Sequence, residues 1–253
     1  MPSDLDIRDL PRPVQAELRG LPKDLAEVVG GHLVLAGRLI DDDPELAYRH
    51  AEAARRRAAR LPVVREATAE SAYAAGFYDV ALSEFRAMRR MTGADDFLPV
   101  MADCERALAR PQAALKIANE ARGKRLDPAL AIEMIIVEAG ARADLGQLAE
   151  ARRVLHQAVL DLDDRRRAGR EVAAARLYYA YADTLERLGQ ESDARNWFDQ
   201  AADLDAEGQT DAAERRDLLD GMRIEFDDSE PEETDSITQA DDTTNGGSAG
   251  VSR

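Results

Sequence analysis

The chain has 253 residues, 45% apolar, 5% aromatic and 33% charged, with a formal net charge of −16. Ala, Leu, Arg and Glu are abundant and β-branched residues are scarce, which excludes a β-rich fold and implies an all-α chain with an aliphatic, Ala-lined core. Residues 227–253 hold eight acids and one base, so the rest of the chain carries −9. A body that acidic speaks against a dedicated nucleic-acid binder.

Residues 1–21 form an N-terminal extension, punctuated by Pro2, Pro11 and Pro13, with room for one short helix. From 22 to 222 the apolar and Ala positions recur at i, i+3, i+4 and i+7, the helical pattern. The spacing predicts helices over 22–40, 44–60, 62–75, 78–91, 97–108, 111–124, 128–145, 147–162, 167–188, 190–205 and 210–222. Pro22, Pro44, Pro62, Pro99, Pro111 and Pro128 stand at helix starts, where the missing N–H costs nothing. Asp43 and Asp127 precede two of them as N-cap acids. Asp211 and Glu214 are placed for a capping box on the last helix, with Leu218, Leu219 and Met222 on its apolar side. The segment 223–253 holds few large apolar residues, so it is expected to be a disordered acidic tail. No apolar run approaches the roughly 20 residues of a membrane span. The acidic start and the single Cys104 point to a cytoplasmic protein without disulfides. Of the 34 basic residues only Lys23, Lys116 and Lys124 are Lys, a composition of high-GC bacterial type.

A repeat runs through the helices. Gly76, Ala81, Phe85 and Met88 are matched by Gly146, Ala151, Leu155 and Ala158, and by Gly189, Ala194, Phe198 and Ala201. Fainter copies run through Ala47, Ala51 and Ala54, and through Ala114, Ala118 and Ala121. The anchor alanines Ala47, Ala81, Ala114, Ala151 and Ala194 are 34, 33, 37 and 43 residues apart. Ala69, Ala102, Ala139 and Ala182 are the matching small residues on the preceding helices. The pattern resembles the tetratricopeptide repeat, whose period is about 34 residues. That resemblance implies a right-handed α-solenoid of about five helical hairpins with a C-terminal capping helix. In this chain the turn Gly is missing from the Ala47 and Ala114 copies. Arg65, Thr68 and Glu138 stand where large or apolar residues are usual. The two long spacings imply extended helices. Val28, Val29 and Leu33 suggest that the N-terminal segment covers the first copy.

Catalytic and metal chemistry find no support. His32, His50 and His156 have no ligand spacing, and Cys104 reads as a small buried hydrophobe near Met101 and Leu108. Asp41, Asp42 and Asp43 suit a helix N-terminus better than a cation loop. No cofactor motif is present. On residues 44–60, Arg49, Arg56 and Arg60 share a face, with Glu45 and Glu52 placed to pair with Arg49 and Arg56. The self-paired face is the expected state, with an acidic partner, the tail included, as the alternative.

In the resembled family the first helix of each hairpin lines a concave groove that grips peptides. Carried onto this chain, the groove positions are Glu66, Glu70 and Tyr73, then Asp103 and Arg106, then Glu133, Val137 and Asp144, then Arg176, Tyr179, Asp183 and Glu186. Acids outnumber bases in that set, and Tyr73 and Tyr179 offer amphipathic contact area. The reading is a non-catalytic adaptor or scaffold that binds a basic protein or peptide. A regulatory nucleic-acid-associated protein using the Arg-rich helices, or an accessory subunit of a separate enzyme, are the alternatives.

Overall fold

The computed structural model describes residues 6–162 and 169–221. The acidic tail, its suggested fold-back and Met222 lie outside the described residues. A 3-10 turn at Ile7–Asp9 and helix α1 (Arg12–Leu18) precede the repeats. Five hairpins follow: α2 (Lys23–Leu39) with α3 (Pro44–Ala58), α4 (Pro62–Ala74) with α5 (Tyr78–Thr92), α6 (Leu98–Ala107) with α7 (Pro111–Ala121), α8 (Pro128–Asp144) with α9 (Leu148–Asp161), and α10 (Glu171–Arg187) with α11 (Glu191–Leu204). Helix α12 (Ala212–Leu219) closes the series, and no strand occurs among the described residues. Each helix packs on the next, and the first helices α6, α8 and α10 also lie side by side. This is an α-solenoid.

The helix starts follow the expected chemistry. Pro44, Pro62, Pro111 and Pro128 are first residues of their helices, while Pro22 is a cap and Pro99 a second residue. The Asp43 carboxylate accepts from the Leu46 N–H at 3.0 Å, and that of Asp127 from the Ala129 N–H at 2.8 Å. Asp211 makes no such cap bond to α12. The capping box is therefore absent, and α12 is instead held from its sides. Ala212 is buried and Leu219 packs on the core, whereas Leu218 is 56% exposed. Helix α3 ends at Ala58, so Arg60 stands beyond it rather than on its face.

The core is a chain of four apolar clusters, each shared by neighbouring hairpins. One joins α1 to α2, α3 and α4 through Leu18, Val29, Leu33 and Val64. The next joins α4, α5 and α6 around Phe85, Met101 and Cys104. Leu98, Ala118 and Met134 centre the third, and Leu155, Leu177 and Phe198 the last. Gly30 of α2 lets the N-terminal segment approach: an added Cβ would stand 2.7 Å from Ile7 Cγ2. The extension thus covers Val29 and Leu33 as expected, although Val28 stays 36% exposed.

All the crossing alanines are buried. Ala69, Ala102, Ala139 and Ala182 meet Ala81, Ala114, Ala151 and Ala194, each at most 2% exposed. The long spacings reflect α8 and α10, 17 residues each against 13 for α4 and 10 for α6, and the second also reflects the longer α9 and the stretch 162–170 ahead of α10. The polar residues at apolar positions have partners. Thr68 is buried and donates to the carbonyls of Val64 (2.8 Å) and Ala51 (3.3 Å). Arg65 reaches Glu84 Oε2 at 2.5 Å, and Glu138 accepts from Arg122 and Arg142 at 2.7 and 2.9 Å.

Four turns share one geometry. The amides of Phe77, Arg110, Gln147 and Gln190 donate to carbonyls five residues back, on Ala72, Glu105, Arg142 and Leu185. Such a turn needs a left-handed residue just before the donor. Gly76, Gly146 and Gly189 fill it with φ of 74–75°, and the third copy fills it with Ala109 at φ 57°. Ala109 is the one non-glycine residue at positive φ among the described residues. A Cβ in that region costs on the order of 1–2 kcal/mol. Ala109→Gly is therefore expected to raise the unfolding free energy by about 1 kcal/mol in urea titrations followed by circular dichroism, and Gly76→Ala to lower it by a similar amount.

Candidate functional site

The first helices α4, α6, α8 and α10 form one wall of the solenoid, and they carry the sequence-derived groove set. The structure brings most of these residues together as pairs between neighbouring first helices. Tyr73 of α4 donates its hydroxyl to Asp103 Oδ2 of α6 at 2.5 Å. Burial and that carboxylate push the Tyr73 hydroxyl well above the usual tyrosine range. Arg106 of α6 meets Asp103 Oδ1 at 3.1 Å and crosses to Asp144 Oδ2 of α8 at 2.9 Å. Arg176 of α10 reaches back to Glu133 Oε2 of α8 at 3.1 Å. Burial still holds the Glu133 carboxyl above its ordinary value.

The far end is closed by the capping helix. Arg215 of α12 spans Asp183 at 3.2 Å, Glu186 at 2.5 Å and the Tyr179 hydroxyl at 3.1 Å, all on α10. Its guanidinium also lies 4.8 Å from the centre of the Phe198 ring. Burial and the Asp211 carboxylate push the Tyr179 hydroxyl up to about 12. Arg215 thus secures α12 to α10 and α11 by charge and by cation–π contact. It belongs to no sequence-derived set. Its signal was present, as one of the two adjacent Arg of the cap and one turn beyond Asp211, but no helix-to-helix distance can be read from sequence.

Nine of the twelve groove residues are therefore stitches within the protein: Tyr73, Asp103, Arg106, Glu133, Asp144, Arg176, Tyr179, Asp183 and Glu186. Val137, also placed on the groove, is instead buried in the core with Leu98 and Met134. It points inward because α8 is packed on both flanks and tolerates a wide apolar stripe.

Glu66 and Glu70 behave differently. Neither makes an ion pair or a side-chain hydrogen bond among the described residues. Both carboxyls are held above the ordinary glutamate range, first by desolvation and then by like charge, Glu17 for Glu66 and Glu66 for Glu70. Glu17 itself accepts from the Val63 N–H at 3.2 Å, at the start of α4. The uncompensated negative potential of this wall is concentrated on one turn of α4. Toward the other end, a pocket of about 340 Å³ opens between α8, α10 and the loop before α12, with Ile136, Ala143 and Ala180 inside and Arg106, Arg176 and Asp183 around it.

Other candidates resolve as structure. Glu45 and Glu52 pair with Arg49 and Arg56 at 3.9 and 3.2 Å, and Arg55 joins Glu52 at 2.6 Å, so the Arg-rich face of α3 is self-paired. Cys104 is fully buried and its thiol is pushed up to about 12 by that burial, which leaves it without thiolate reactivity at neutral pH. His32 and His50, unconnected in sequence, meet Nδ1 to Nδ1 at 3.0 Å between α2 and α3. No cluster of three metal-ligating residues exists among the described residues. No described helix is long and apolar enough to cross a membrane.

No family model matches this sequence, and no curated protein matches it. A solved structure does: a thermophilic tetratricopeptide-repeat protein from Thermus thermophilus, 17% identical, with a TM-score of 0.57 over 77% of this chain and 100% of that one. At that identity the likeness establishes the fold. The chain is an α-solenoid of tetratricopeptide-like hairpins.

The stitch at Arg106 is testable through Gly140. An added Cβ at Gly140 would overlap the Arg106 guanidinium, which lies across α8 on its way to Asp144. Gly→Ala inside a helix otherwise gains about 1 kcal/mol. Gly140→Ala is expected to give no gain in the wild-type chain and a gain of about 1 kcal/mol in an Arg106→Ala background. Urea unfolding of the four proteins checks the cycle.

Proposed function

We propose that this protein is a non-catalytic scaffold whose concave face holds a basic peptide or protein segment. The observation that carries the reading is the pair Glu66 and Glu70. Two carboxylates one turn apart, Glu66 half-buried and Glu70 exposed, are left unpaired on a wall where nearly every other charge has an internal partner. Unpartnered charges of one sign cost stability and are retained where a partner supplies the counter-charge. A Lys or Arg entering beside α4 supplies two cation–carboxylate contacts, and the pocket beside Ile136 and Ala180 accepts an apolar side chain further along the same wall. The self-paired α3 face takes support away from a nucleic-acid reading.

The basic residues of the partner would dock by charge, so the association is expected to weaken with salt. Titrating a fluorescein-labelled Lys/Arg-rich peptide into the full chain tests this by anisotropy. Glu66→Gln with Glu70→Gln is expected to weaken binding at least tenfold; equal affinity for the variant and the wild type would overturn the reading.

The same pair predicts a pH signature. A carboxyl whose value is raised in the folded state binds its proton more tightly there than in the unfolded chain. Its contribution is favourable below the unfolded glutamate range and is lost as pH rises through the folded value. Glu70→Gln is therefore expected to be more stable than wild type at pH 7 and indistinguishable from it near pH 4. Urea midpoints at the two pH values read this out.

A further inference from the structure

A second site lies among the second helices, at the third repeat. Four residues after the anchor alanine, the second, fourth and fifth copies carry Phe85, Leu155 and Phe198, all buried, and each fills the space against the next hairpin. The first and third copies have Ala51 and Ala118 there. At the third copy an open cleft of about 540 Å³, with Ala118 in its lining, lies between α7, α8 and α9. Its volume falls in the range of small-ligand and side-chain pockets.

The cleft has an apolar interior and a cationic edge. Ala118, Leu126, Ile135 and Val154 line the inside. Leu126, Ile135 and Val154 are only half-buried. Arg122, Lys124 and Arg125, on the connection from α7 to α8, stand on one side, and Arg153 of α9 on the other. Glu138 is the one acid in the lining, and its carboxylate is already taken by Arg122 and Arg142. Arg122 remains 62% exposed and Arg153 66% exposed, so both can turn toward a ligand. Lys124 pairs with Asp95 at 3.2 Å and Arg153 with Glu150 at 3.0 Å, so Arg125 is the rim cation without an ion pair among the described residues, and four cations against one acid give the lining a basic edge in a chain of net charge −16.

We propose that this cleft is a docking site for an acidic peptide segment bearing one bulky apolar side chain. The apolar side chain enters above Ala118 and takes the volume that Phe or Leu occupies in the second, fourth and fifth repeats. The flanking carboxylates meet Arg122, Arg125 and Arg153, as anchor-plus-charge recognition requires. The site is independent of the concave wall, so the chain can hold a basic partner on one face and an acidic one on the other.

The probe is a fluorescein-labelled peptide, Asp-Glu-Asp-Phe-Glu-Asp-Glu, titrated into the full chain by anisotropy. Saturable binding is expected. It should weaken at least tenfold when Ser replaces Phe in the probe, and at least tenfold in an Arg125→Glu, Arg153→Glu variant, both residues being exposed. Ala118→Leu, which fills the cleft from within, should also abolish binding while the thermal midpoint stays level or rises. A benzophenone in place of the Phe ring should crosslink to Leu126, Ile135 or Val154. The proposal is overturned if wild type shows no saturable binding, if the Ser probe binds equally, if the charge-reversed variant binds as wild type does, or if the crosslinks map to α4 or α10. Glu66→Gln with Glu70→Gln should leave this probe's affinity unchanged, so failure here and failure of the concave-face reading are separable.

Discussion

The close approach of paired helices at alanine is the constraint from which the rest follows. At each crossing a first-helix Ala meets a second-helix Ala with essentially no surface left to water. Helix axes that meet over such small side chains lie near the short end of the usual packing range, about 8–10 Å. That closeness leaves no room for a large core inside one hairpin. The bulky residues, Phe85, Leu155, Leu177 and Phe198, must therefore lie between hairpins. Each hairpin is completed only by its neighbours, which is why the core is a series of linked clusters and why the ends carry an N-terminal extension and a capping helix.

Charge does the same work along the walls. Glu84, Glu105 and Glu138 are nearly buried, and each is met by two Arg: Arg65 and Arg55, Arg86 and Arg110, and, for Glu138, Arg122 from the preceding connection and Arg142 one turn along its own helix. Removing one member of such a pair strands a buried carboxylate, the expensive outcome for an ion pair. The wall of first helices repeats the arrangement with Asp103, Arg106, Asp144, Glu133 and Arg176. A high content of charge is thus compatible with an Ala-rich solenoid because most of the charge is internal bracing. The exceptions of interest among the described residues are the two unpaired glutamates on α4 and Arg125 at the edge of the cleft over Ala118.

The third repeat concentrates the deviations from the common pattern. It places Ala109 where the second, fourth and fifth copies have Gly and Ala118 where those three have Phe or Leu, and its first helix α6 is the shortest first helix in the series. The repeat still forms the same turn, with the Arg110 amide bonded to the Glu105 carbonyl. Neighbour contacts over-determine its geometry and hold the unfavourable φ in place. Strain and incomplete packing in a single repeat are tolerated here because the neighbours supply the stability.

Helix positions and the repeat register were legible in the sequence. Proline at helix starts, Asp43 and Asp127 as caps, the 3.6-residue apolar period and the Gly-to-Ala offset of five are local features, and local features survive without knowledge of the fold. The length of α8 and α10 followed from the two long spacings, and the Glu45–Arg49 and Glu52–Arg56 pairs from helical geometry alone. What a groove residue faces was not legible. The positions of Asp103, Asp144, Asp183 and Glu186 gave a count of acids, but whether those acids are free depends on Arg106 and Arg215 arriving from other helices. The meeting of His32 with His50, the inward turn of Val137 and the cleft over Ala118 are of the same kind. Each is a distance between residues far apart in the chain, and only the packing of one hairpin on the next sets it.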